Sequence, residues 1–107
     1  MVKVKDPLNN TIVLTQKCWK NHILKEHPEM EAFYNELRNT IKKPEYIFKS
    51  KISRNSHLYF KGYLHPEYGY FYIMAVIDYK EHKKMGFIKT SFPVYNLKKS
   101  GELLWKK

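Results

Sequence analysis

The apolar positions of this 107-residue chain change their period once. Between Gln16 and Lys42 they recur at helical spacing; after Pro44 they alternate or run together, as in strands. Thr15 is placed to cap a helix over Gln16–Glu26 with its hydroxyl. Pro28 ends that helix, because the residue before a proline is pushed out of the helical region. A second helix is predicted from Glu29 to Lys42. Its Met30, Phe33, Tyr34, Leu37 and Ile41 fall at i, i+3, i+4, i+7 and i+11, one amphipathic stripe. Acidic residues occupy its first turn, where the helix dipole favours them, and Pro44 closes it.

Tyr46–Lys51, Leu58–Tyr63, Tyr70–Tyr79 and Gly86–Val94 are rich in aromatic and β-branched residues and predict four strands. Their short connections favour an antiparallel meander. Tyr70–Ile77 is apolar on both faces, which makes it the central strand. Val2–Lys5 and Thr11–Leu14, around the turn-rich Asp6-Pro7-Leu8-Asn9-Asn10, predict a short N-terminal hairpin. The expected fold is α+β: N-terminal helices packed on one face of a four-stranded antiparallel sheet. A chain of this length fits one domain, with the hairpin over 1–14, the helices over 15–43, and the sheet and C-terminal tail over 44–107.

Composition narrows the class. The chain is 43% hydrophobic and 16% aromatic, too rich in core-forming residues for a disordered basic tail. One Cys forms no internal disulfide, which excludes a disulfide-stapled secreted scaffold. The longest apolar run is far short of the roughly 20 residues that span a bilayer. Met1–Pro7 lacks the apolar core of a signal peptide. The expected setting is the reducing cytoplasm, with no membrane partner.

Charge adds a partner. There are 20 Lys+Arg against 10 Asp+Glu, a formal net charge of +10. All the positive side chains except Arg38 and Arg54 are Lys, which surrounds a polyanion with a diffuse field; Arg54 is one candidate for a bidentate phosphate clamp. Lys-rich surfaces also simply keep small proteins soluble. The excess is uneven. Lys42, Lys43, Lys49, Lys51, Arg54 and Lys61 face only Glu45 in their stretch, and Lys80, Lys83, Lys84, Lys89, Lys98 and Lys99 only Glu81. The predicted second helix is acidic. A nucleic-acid face therefore belongs to the strands and loops after residue 41.

Three groups of residues carry candidate chemistry. On the first helix, Trp19, His22, Ile23 and Glu26 share a face, so His22 is expected half-buried where helix meets sheet, with Glu26 to orient it. His27 lies at the helix C-terminus. A histidine in such a place is more often a packing residue. On the last strand, Lys89, Thr90 and Ser91 bring a cation and hydroxyls together. Along the middle strands, Lys49, Arg54, His57, Tyr59, Lys61 and Tyr63 interleave cations and rings, the pattern of a single-strand stacking platform. Tyrosine is equally a favoured residue of half-buried strands. Cys18, His22 and His27 lack metal-ligand spacing, and isolated glycines make no phosphate loop, so no metal or cofactor is expected.

The run Trp19-x-x-His22-Ile23-x-x-x-His27-Pro28-Glu29, then Ile41-x-x-Pro44-x-x-Ile47, a Tyr-rich central strand, Lys89-Thr90-Ser91-Phe92 and Gly101-Glu102-Leu103-Leu104-Trp105 resembles one group. It is similar to the small phage- and toxin-associated members of the barnase–EndoU–colicin–RelE-like (BECR) nuclease superfamily. The resemblance covers about residues 19–105 and implies helices before a curved four-stranded antiparallel sheet. It implies metal-independent RNA cleavage, of tRNA or mRNA, by 2′-OH attack that leaves a 2′,3′-cyclic phosphate. Carried over, the catalytic residues become His22, His27, Arg54 and Thr90. The RNA-binding set becomes Lys25, Lys49, Lys51, Tyr59, Lys61, Lys89 and Ser91. An acidic antitoxin or immunity protein is the implied protein partner. The alternatives are a non-catalytic module for RNA or single-stranded nucleic acid, and an inactive nuclease-like interaction protein.

Overall fold

A computed structural model describes residues 2–80, 84–97 and 101–107. Lys83, Lys98 and Lys99 of the second basic run, with Glu81, lie outside these residues. The fold is α+β, with a larger sheet than the pattern predicts. Seven strands form it: β1 (Val2–Lys5), β2 (Thr11–Leu14), β3 (Tyr46–Lys49), β4 (Ser56–His65), β5 (Gly69–Tyr79), β6 (Met85–Val94) and β7 (Leu103–Lys106). Their order across the sheet is β1-β2-β6-β5-β4-β3-β7. The four expected strands form the antiparallel centre, with β5 in the middle position.

Two corrections enlarge the four-stranded antiparallel sheet. The N-terminal hairpin forms, and then joins the sheet through a parallel pairing of Thr11–Val13 with Met85–Phe87. The C-terminal tail is an edge strand: Leu103, Trp105 and Lys106 pair with Phe48, Ile47 and Tyr46. Both additions satisfy edges that a four-stranded sheet leaves open. Neither pairing is visible in a local pattern, because each joins segments more than 50 residues apart.

Both helices form, with irregular turns. The first is α-helical at Gln16–Cys18, a π-turn at Trp19–Ile23 and α-helical again at Leu24–Glu26. Thr15 caps it as expected: its Oγ1 accepts the Cys18 N–H at 3.1 Å. The second helix opens as a 3₁₀ segment, Pro28–Phe33, and continues as an α-helix, Tyr34–Lys42. Its stripe is buried as predicted: Met30, Phe33, Leu37 and Ile41 sit in the main core. Among the described residues no helix is long and apolar enough to cross a membrane.

The sheet has two buried faces. On the helix-covered face, Ile12, Leu14, Ile47, Tyr59, Phe71, Ile73, Ala75, Ile77 and Ile88 meet the two helices. On the other face, Phe48, Leu58, Phe60 and Met74 form a second core, flanked by Tyr46, Tyr72, Val76, Phe92, Val94 and Leu97. Leu97, just beyond β6, packs on this second core as a short strap, so this face is the strap side. β7 pairs at the far edge, four strand spacings or about 19 Å from β6. Before it, Gly101 sits at φ +79°, with no room for a Cβ beside the Lys49 carbonyl, and Lys49 N donates to Glu102 O at 2.7 Å.

A buried polar cluster fastens the N-terminal turn to the helix-covered face. Asp6 Oδ1 accepts the N–H groups of Leu8 (3.0 Å) and Asn10 (2.7 Å), and Oδ2 accepts Asn10 Nδ2 at 3.1 Å. Tyr59 OH also donates to Asp6 Oδ2, and the Tyr79 hydroxyl joins Tyr59. Removing the carboxylate leaves several buried donors unpaired, each a loss of roughly 1–3 kcal/mol. Asp6→Ala is expected to lower unfolding stability by about 2–4 kcal/mol in urea titrations, whereas Lys17→Ala, at an exposed position of the first helix, shifts it by less than about 0.5 kcal/mol.

Candidate functional site

The first helix lies against β6 beyond its pairing with β2. At one end the Cys18 thiol approaches the carbonyls of Ile88 (3.1 Å) and Lys89 (3.4 Å), and burial pushes its pKa up. At the other end the His27 ring stacks on Phe92, with centroids 4.6 Å apart. His22 lies between these two anchors along the chain. The π-turn carries it, closed by the Leu24 N–H bonding to Trp19 O. One extra residue in that turn lets Ile23 stay fully buried and Trp19 reach Tyr34 edge-to-face at 5.1 Å. π-turns of this kind recur at functional sites.

His22 differs from its expected setting. Its side chain is 47% exposed and is not held in the helix–sheet crevice. The expected orienting partner is present: His22 Nε2 lies 3.1 Å from Glu26 Oε2. His27 is the half-buried one, with Nδ1 at 3.5 Å from Glu29 Oε1.

On the strap side of the sheet lies a cleft of about 340 Å³. Its lining includes Lys89, Thr90, Val76, Leu58, Ser53 and Ser56. The bulge between Val76 and Ile77 in the β5–β6 pairing leaves Lys89 outside the regular ladder, and its side chain is exposed. Thr90 pairs with Val76 on the cleft face. The Ser56 hydroxyl is held by Asp78 Oδ1. Arg54 is exposed on the β3–β4 loop, whose Ser50, Ile52 and Ser53 form the cleft rim. Lys51 belongs to the same loop. The structure thus brings Lys89 and Thr90 into the wall of one cleft and puts Arg54 on the loop that lines it, while His27 meets Phe92 of the same strand and His22 stands exposed on the first helix.

Other expected RNA contacts fall elsewhere. Tyr59 is fully buried under the helices, and Ser91 is fully buried with its hydroxyl donating to Met74 O at 2.8 Å. Neither presents a surface to RNA. Lys49, His57, Lys61 and Tyr63 share Tyr59's parity and stand on the helix-covered side of the sheet, Lys49 exposed and the others half-buried. Lys61 Nζ donates to Lys43 O at 3.0 Å. Tyr63 OH donates to Glu36 O at 2.8 Å, and burial pushes its pKa up to about 12. Lys25 is exposed on the first helix. Among the described residues no three His, Cys, Asp or Glu side chains converge as metal ligands.

Two features escape the sequence reading. The Asp6–Tyr59–Tyr79 cluster continues to His57, whose ring lies 4.3 Å from Tyr79 with Nδ1 buried and unpartnered. Nothing local couples Asp6 to strands so distant in sequence. The second is the row Tyr46, Tyr70 and Tyr72, which alternation assigns to the strap side once Phe71 and Ile73 are known to face the helices.

Comparison of the chain with protein-family models, characterised proteins and solved structures gives no match. The site is therefore read from its own geometry.

Burial, reinforced by Lys49 and opposed by Asp6, lowers the His57 pKa below 6.5. The unfolded chain then binds the proton more readily, so His57 supports stability above pH 6.5, and that support is lost as pH falls through its lowered folded value. Urea midpoints measured across that window are expected to fall less steeply on acidification for His57→Gln than for wild type.

Proposed function

We propose that this chain is a metal-independent endoribonuclease whose site is the cleft bordered by His22, His27, Lys89, Thr90 and Arg54. What supports the reading is that two carboxylate-paired histidines stand on and just after the helix packed against β6, the strand that also puts a cation and a hydroxyl in the wall of a cleft. A net charge of +10 draws a polyanion to such a surface.

The chemistry follows from the hydrogen-bond partners. A neutral His22 that donates Nε2–H to Glu26 keeps the lone pair on Nδ1, the form a general base needs. That nitrogen takes the ribose 2′-OH proton, and the oxygen attacks the adjacent phosphorus. Lys89, the Thr90 hydroxyl and Arg54 stabilise charge on the phosphate oxygens. His27, stacked on Phe92 with Nδ1 toward Glu29, retains Nε2 to protonate the departing 5′-oxygen. The products are a 2′,3′-cyclic phosphate and a free 5′-hydroxyl. An acidic antitoxin or immunity protein would cover this basic cleft.

A second reading, RNA binding without cleavage, is favoured by the 47% exposure of the His22 side chain, since water competes for its base position. One experiment separates them: pure protein with total RNA in EDTA. Cleavage with cyclic-phosphate ends is expected, lowered about 100-fold or more by His22→Ala and about 100-fold by Thr90→Val, with both variants folded by circular dichroism. Full cleavage by folded His22→Ala overturns the role of His22. Salt-sensitive binding with no cleavage by wild type establishes the binding module instead.

A further inference from the structure

On the strap side of the sheet, away from the cleft, stand three tyrosines: Tyr46 on β3 and Tyr70 and Tyr72 on β5. The pairing places Tyr72 opposite Gly62 and Tyr70 opposite Leu64. Tyr70 leans diagonally over Gly62: a Cβ there would overlap the Tyr70 hydroxyl and ring tip. Only glycine leaves the ring this seat. Tyr72 meets Tyr70 edge-to-face, with centroids 5.5 Å apart. The Glu45 carboxylate beside them is turned to the backbone and accepts the Gly62 N–H. Tyr70 is nevertheless 52% exposed, so its ring is fixed by its neighbours and open to solvent. Leu64 beside it is 81% exposed. Lys106 on β7 pairs directly with Tyr46 and is exposed, which sets a cation next to the rings.

A seated, solvent-facing aromatic ring with a neighbouring cation matches one occupant: an unpaired nucleobase whose phosphate meets the lysine. A duplex hides its base faces in its own stack and has none to offer. We infer that Tyr70, supported by Tyr72 and Tyr46, is a base-stacking step that makes this protein select single-stranded over double-stranded RNA, with Lys106 as a phosphate contact. This rests on the reading of the ligand as RNA, and not on the cleft being catalytic.

The test uses a fluorescently labelled single-stranded 2′-O-methyl oligonucleotide, which lacks the attacking hydroxyl, and the same strand in a duplex. Anisotropy titrations with full-length protein are expected to show tighter binding of the single strand. Tyr70→Phe keeps the ring and is expected to retain affinity. Tyr70→Leu is expected to lose about tenfold or more for the single strand, with duplex binding unchanged. Gly62→Ala, which displaces the ring without altering it, is expected to act in the same direction. Lys106→Ala is expected to reduce the salt slope by about one. Equal affinity for the two probes, or unchanged single-strand binding by folded Tyr70→Leu, overturns the inference. Loss of cleavage alone leaves it standing, because no arm of the titration requires cleavage.

Discussion

The constraint behind this fold is a central strand that is apolar on both sides. Phe71, Ile73, Ala75 and Ile77 of β5 point to one face, and Tyr72, Met74 and Val76 to the other. Such a strand needs cover on both faces. The helices supply one cover. On the other face, Leu97 just beyond β6 packs with Tyr46, Tyr72 and Phe92 on the second core. The two coverings divide the protein's polar surface. They leave the β6 side, the cleft under the β3–β4 loop, and the tyrosine corner near the β4–β5 hairpin.

The proposed site occupies the first two of these openings. The first helix lies against β6 because Cys18 meets the Ile88–Lys89 backbone and His27 stacks on Phe92. The π-turn lets Trp19 and Ile23 keep their core contacts while His22 stays outside. Packing and chemistry thus use the same helix in different directions. The buried side of the sheet spends its polar residues on structure: Asp6, Tyr59 and Tyr79 hold the N-terminal turn, and Tyr63 ties β4 to the second helix.

Much of the helical part was legible from the chain. Thr15 caps where its hydroxyl predicts, Pro28 marks the break, and the Met30-to-Ile41 stripe is buried. The tyrosines were harder. Interleaved with Lys and His, Tyr59 and Tyr63 looked like a binding platform, yet their parity sends them under the helices. Tyr70 and Tyr72, one position out of phase with the core residues, face the other way. A strand shows which residues share a side; it does not show which side is covered.

The sequence by itself determined the α+β class, the two helical segments, the four central strands, the identity of the middle strand and a strongly basic surface. Each depends on short-range periodicity, on caps and breakers, or on charge count, and so is written locally. Tertiary structure alone decided the parallel β2–β6 pairing, the placement of β7, the strap over the second face, the burial of Tyr59 and Ser91, and the meeting of His27 with Phe92. Each of these joins segments far apart in sequence. Their partners are chosen by what the rest of the chain leaves uncovered, and no local pattern encodes that choice.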